Sequence, residues 1–198
     1  MFNSKKYFLL ILLFFFPGTI HGKMQSPLET VKVSNESILA LYSSSSDTDE
    51  HVLHEIFSIM DGVTDFNVMA NRAVQNVCPN TNEDLCKTIR QEFIEVLKLA
   101  AMTKLGRYRA DRFEYISEKT ADQQSVVKTV AHFKDDSVQL DYILEKRGGS
   151  WSIVNYLIDE VDTIQNYQRQ FKRIVDKEKL SGLLKRLRNK NKQYKKDR

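Results

Sequence analysis

GGSWSIVNYLIDEVDTIQNYQRQF occupies Gly148 to Phe171, and the reading of its first half decides the fold. The two glycines read as a turn, and Trp151 to Val161 reads as a strand rich in aromatic and β-branched residues. Strict alternation places Trp151, Ile153, Leu157 and Val161 on one face, with Val154, Tyr156 and Ile158 on the other. A sheet with one wet face alternates apolar and polar positions. This strand is apolar on both sides, so both sides must be covered.

Working back from that strand, DDSVQLDYILEK sets Val138, Leu140, Tyr142 and Leu144 on one face and Gln139, Asp141 and Glu145 on the other. Ser125 to Phe133 is rich in valine and threonine, and Arg112 to Glu118 alternates Phe113 and Tyr115 with charges. Short turns between consecutive strands imply an antiparallel meander of four. Before it, apolar residues recur at helical spacing over Leu28 to Tyr42, over Leu53 to Met60, over Phe66 to Val77 and over about Glu83 to Tyr108. SSSSDTDE, Ser43 to Glu50, offers capping residues for the second helix. Two more helices are predicted after the sheet, Thr163 to Val175 and about Leu180 to Lys192. The expected class is α+β: an antiparallel four-stranded meander with helices packed on one face.

MFNSKKYFLLILLFFFPGTIHG has the layout of a secretory leader, with Lys5 and Lys6 ahead of an apolar run from Tyr7 to Phe16. That run of about ten residues falls short of the roughly 20 that span a bilayer. Residues 1–22 are expected to be removed near Gly22, leaving 23–198 as one exported domain; the alternative is a retained signal anchor. Export makes Cys78 and Cys86, which bracket PNTNEDL, a predicted disulfide, the alternative being two free thiols. Charge divides unevenly. Lys172 to Arg198 carries twelve Lys/Arg against three Asp/Glu, while Lys23 to Phe171 carries sixteen against twenty-three. An acidic body therefore ends in a basic segment.

Three motifs resemble the MlaC family of periplasmic phospholipid-binding proteins, also called the toluene-tolerance auxiliary family. The first is W-x-I-V followed by N-Y-x-x-Q-F: Trp151, Ile153, Val154, Asn166, Tyr167, Gln170 and Phe171. The second is DFNVMANRAV, Asp65 to Val74, and the third LSGLLKRLRNKN, Leu180 to Asn191. The chain departs from the family at Glu160-Val161-Asp162, where Gly-Val-Ser is common, at Gln168 after Asn166-Tyr167, and at the cysteine loop. The resemblance implies a cystatin-like or NTF2-like layout around a cavity for acyl chains. It implies a periplasmic carrier of one phospholipid that serves the lipid asymmetry of the outer membrane. Its expected partners are an outer-membrane lipoprotein complex and the inner-membrane lipid-binding ring of an ABC transporter. No nucleic acid is expected, and the protein is expected to be a monomer. Alternatives are a hopanoid-type lipid carrier, or an exported pocket domain with hydrolase or isomerase activity.

On that reading the residues expected to line the cavity are Phe57, Met60, Phe66, Met69, Leu140, Tyr142, Leu144, Val154, Tyr156, Ile158 and Tyr167. The alternative is that each is ordinary core. No catalytic residue, metal or cofactor is expected beyond lipid cargo. His51 and His54 lie three apart but lack the HExxH order. Neither a GxSxG motif nor a phosphate-binding glycine loop occurs. Asn35-Glu36-Ser37 fits the glycosylation pattern, which the family's compartment leaves unused. In the basic segment, Leu180, Leu183, Leu184 and Leu187 recur at helical spacing and are expected to dock on the body. Lys185, Arg186, Arg188, Lys190 and Lys192 would then face solvent, an anionic membrane or an acidic partner.

Overall fold

The computed structural model describes residues 25–43, 50–78, 83–107 and 109–196. The expected leader, most of the run at 44–49, the loop residues 79–82 and Tyr108 lie outside these. Four helices come first: α1 (Pro27–Ser43), α2 (Glu50–Val63), α3 (Phe66–Val74) and α4 (Glu83–Arg107). The strands β1 (Arg112–Ala121), β2 (Gln124–Phe133), β3 (Asp136–Arg147), β4 (Ser150–Ile158) and β5 (Val161–Asp162) follow, and α5 (Thr163–Lys196) closes the chain. The sheet is antiparallel in the order β1-β2-β3-β4-β5. This is the expected α+β meander, with one strand more than predicted.

The extra strand arises because β4 stops at Ile158 instead of running to Val161. Asp159 and Glu160 take φ of 46° and 65°, and the two-residue turn pairs Ile158 with Val161. Both central residues in the left-handed region match the right-handed twist of a hairpin. Glycine does this without cost, and glycine is what the resembled family commonly has at Glu160. Glu160→Gly is therefore expected to raise unfolding stability by about 1 kcal/mol, measured by urea denaturation.

A β-bulge changes the facing of β4. Ile143 pairs with Asn155 and Leu144 with Ile153, so Val154 is the extra residue. Ile153 and Trp151 consequently share a face with Tyr156 and Ile158, where strict alternation had opposed them. Tyr142 stands opposite Tyr156, and their rings meet edge-on with centroids 5.6 Å apart. Val31 of α1 packs on this face against Val127, Tyr142, Leu144 and Ile153. On the opposite face of β3, Glu145 binds Arg72 of α3 at 2.6 Å, Arg147 at 2.8 Å and Gln124 at 3.1 Å. Burial pushes the Glu145 carboxyl up, but these donors outweigh it and hold the pKa low. Both faces near β4 are thus covered by protein: α1 on one, the α3 side on the other.

The main core lies among α3, α4 and α5 around Phe93, which is fully buried. Asp65 caps α3 by accepting from Val68 N at 3.0 Å, and its own N–H donates to Ile153 O at 2.8 Å. The D-F-x-x-M-A and W-x-I-V motifs therefore meet in space. Asp162 caps α5, accepting from Gln165 N at 2.8 Å, while Asn155 Nδ2 holds the same carboxylate at 2.9 Å. α5 breaks into two limbs at Lys179 (φ 63°), at the junction expected between the last two helices. The return is tight, because a Cβ on Gly182 would lie 2.2 Å from Glu178 Cβ. Leu180, Leu183 and Leu187 of the second limb are buried against α4. Arg188 and Lys195 pair with Glu92 and Glu95 along the same seam.

Cys78 and Cys86 form the expected disulfide, with Cα atoms 5.6 Å apart. The Cys78→Ser/Cys86→Ser variant is expected to lose roughly 2.5 kcal/mol by urea denaturation, the loop-closure value for a sequence separation of 8. No change beyond 0.5 kcal/mol would show that the bridge constrains the unfolded chain negligibly.

Candidate functional site

α1 and the end of α2 roof a cavity of about 160 Å3 over the sheet. Ile38, Leu39 and Tyr42 of α1, Met60 and Val63 of α2, and Thr64 just beyond it form the roof. Phe113, Ala131, Phe133, Leu140, Tyr142, Ile153 and Tyr156 supply the floor. The roof exists because α1 and α2 share a small apolar seam of Ile38, Val52 and Ile56. α1 is anchored at its start by Glu118, which accepts from Leu28 N at 2.9 Å. None of the lining residues carries a formal charge.

The polar groups in the wall are neutral and mostly paired. Tyr142 Oη donates to Asn35 Oδ1 at 3.0 Å, and Thr64 Oγ1 lies 2.8 Å from Tyr156 Oη. Burial pushes the Tyr156 phenol up to about 12, with the Thr64 hydrogen bond opposing. It pushes Tyr142 far above the usual tyrosine range, aided by the neighbouring Tyr156 and opposed by Asn35. Tyr42 is raised to about 12 by burial, and Arg109, 4.8 Å from its ring centroid, works against that shift. All three are neutral at physiological pH. Asn35 Nδ2 and Tyr115 Oη are both buried; burial pushes the Tyr115 phenol up, and the Asn35 amide beside it opposes that shift. Asn35 itself lines the cavity and is 4% exposed, so the glycosylation pattern it begins is buried.

Of the eleven residues expected to line a cavity, Met60, Leu140, Tyr142 and Tyr156 converge here. Phe66 and Met69 lie in the core among α3, α4 and α5, and Phe57 turns to Lys98, whose Nζ is 5.5 Å from its ring centroid. Leu144 packs beneath Val31, and Val154 is the buried bulge residue. Ile158 and Tyr167 line a separate groove beside α5. Asn35 escaped the sequence reading because a polar residue on a helix reads as solvent-facing; its burial comes from Tyr142, distant in sequence. Among the described residues no cluster of three or more His, Cys, Asp or Glu could hold a metal. His51 instead lies 3.7 Å from Glu55 on α2.

The model of the family described as MlaC protein matches residues 32–189. Among solved structures, the fold is similar to that of the phospholipid-binding protein from Ralstonia solanacearum in complex with a phospholipid. That likeness has a TM-score of 0.65 at 22% identity, covering 83% of this chain and 96% of the other. Among curated proteins none matches significantly. With the match running from α1 into the second limb of α5, through the first two motifs and most of the third, this chain belongs to the MlaC family.

Proposed function

We propose that this protein is a periplasmic phospholipid carrier that takes a lipid from one membrane complex and yields it to another. The observation that carries this reading is an apolar cavity between helices and sheet whose wall carries no formal charge. An acyl chain offers the complement, methylenes against an apolar wall. Family membership and the phospholipid held by the similar Ralstonia protein support the same class of ligand.

The energetics explain why a carrier is needed. Exposing about thirty methylenes costs on the order of 24 kcal/mol, so a free phospholipid rarely crosses water. A matching apolar pocket makes each exchange nearly neutral, and no covalent step is involved. Pockets for drug-sized ligands already run to about 300–1,000 Å3. At about 160 Å3 the cavity takes part of one chain, so full loading requires α1 and α2 to part from the sheet. The alternative of a hydrolase or isomerase calls for paired ionisable groups in the pocket, whereas this wall is apolar, hydroxyl and amide. In the finer reading, residues 1–22 direct export, and the partners are an outer-membrane lipoprotein complex and an inner-membrane lipid-binding ring.

The test is native mass spectrometry of protein purified from the exported fraction, followed by lipid extraction. A one-to-one adduct releasing phospholipid is expected; an empty protein that takes up nothing from vesicles would defeat the proposal.

A further inference from the structure

Two hollows open toward the same end of the sheet. The cavity reaches Phe113, Phe133 and Leu140, near the start of β1, the end of β2 and the start of β3. A groove of about 760 Å3 begins at Ile158, the end of β4, and Val161, the start of β5, and runs between the limbs of α5. Leu140 and Ile158 are a directly opposed cross-strand pair, so one lines the cavity and the other the groove about 5 Å away. The hollows share that pair as a common wall.

Their chemistry differs. The groove has an apolar floor of Tyr167, Phe171, Ile174 and Leu187, with Lys104, Arg186 and Lys190 around it. No Asp or Glu lines it among the described residues. The acidic turn Asp159–Glu160 adjoins it without contributing to its wall. Arg186 is already held by Glu178, with Nη2 to Oε1 at 2.6 Å. Lys104 forms no ion pair among the described residues. Lys190 Nζ donates to Gln193 Oε1 at 3.4 Å and lies 4.5 Å from the centroid of the Tyr194 ring, with no carboxylate partner among the described residues. Two cations thus face a carboxylate-free groove next to a cavity that contains no charge at all. A phosphate cannot enter that cavity unpaired, since desolvating an isolated ion in apolar surroundings is prohibitive. Chains and head group must separate, and the Leu140–Ile158 wall puts the groove at the point of separation.

We propose that the groove between the limbs of α5 receives the phosphate-bearing head group of the carried phospholipid, with Lys104 and Lys190 selecting net-negative over zwitterionic head groups. This rests on the carrier reading above.

The experiment offers the delipidated full chain vesicles of equal parts phosphatidylglycerol and phosphatidylcholine with matched acyl chains, and counts bound lipid by native mass spectrometry. The parent protein is expected to favour the anionic lipid about tenfold. Lys104→Gln/Lys190→Gln is expected to bring the ratio to about one at unchanged total occupancy. Both lysines are exposed, so folding is preserved. Lys185→Gln/Lys192→Gln removes the same charge from the far side of the second limb and should keep the preference. A parent protein that loads both lipids equally overturns the inference and leaves the carrier reading standing. So does an equal loss of preference in both double variants, which would trace it to the overall field. Failure to load either lipid defeats both proposals.

Discussion

Leu140→Asp is expected to leave the protein folded and empty of lipid. Leu140 lies on the cavity floor, half-buried, between Thr129 on β2 and Ile158 on β4. Its carbonyl accepts from Thr129 Oγ1 at 2.6 Å, a bond the substitution leaves in place. With the cavity open to water the new carboxylate remains hydrated, so the cost to folding stays near 1–2 kcal/mol. With acyl chains loaded, the same carboxylate must lose its hydration with no cation in the wall to replace it. That costs at least about 3 kcal/mol, equivalent to a loss of more than a hundredfold in retention. Circular dichroism with native mass spectrometry separates the two effects. Leu140→Met, close in volume, is expected to retain lipid. A folded aspartate variant carrying lipid at the parent's stoichiometry would take Leu140 off the binding wall.

The largest effect on stability is expected at Phe93. Its ring is fully buried in α4 and meets Tyr167 and Phe171 of α5 edge-on, with centroids 4.7 and 4.8 Å away. Phe93→Ala removes the ring's transfer energy, opens a cavity and deletes both aromatic contacts. The expected loss is about 4 kcal/mol, a large share of the roughly 5–15 kcal/mol that holds a domain together. Phe93→Leu keeps most of the volume and should lose under about 2 kcal/mol. Urea denaturation reads both, with an unchanged slope expected. A loss below about 1.5 kcal/mol for Phe93→Ala would mean that the first limb of α5 is held elsewhere, through Gln168 to Arg72 O and the Asp162 cap.

Much of this fold is legible in local pattern. The helical spacing of Leu85, Ile89, Phe93, Val96 and Leu97 marks α4, and Ile89 and Phe93 prove fully buried. The Leu180, Leu183, Leu187 spacing marks the docked face of a basic helix, and all three are buried. The cysteine spacing marks the disulfide. Gly182 could have signalled the tight return at Lys179, since glycine inside a helical pattern often marks a close backbone approach.

The cavity wall is less legible. Met60, Leu140, Tyr142 and Tyr156 look no different in sequence from Met69 or Leu144, because a cavity wall and a closed core draw on the same apolar residues. The distinction depends on how closely α1 and α2 approach the sheet. Asn35 shows the converse: its burial depends on Tyr142, 107 positions away.

The sequence by itself determined the element types, the meander and the disulfide, since each rests on periodicity or spacing within a short window, and its three motifs carried the resemblance to the family. Tertiary structure alone decided the bulge at Val154, the extra turn at Asp159–Glu160, and which apolar residues face a hollow. The reason is that strand register and wall spacing arise from pairing between distant segments. A one-residue shift in that pairing reverses every side chain beyond it, while leaving the local pattern of residues unchanged.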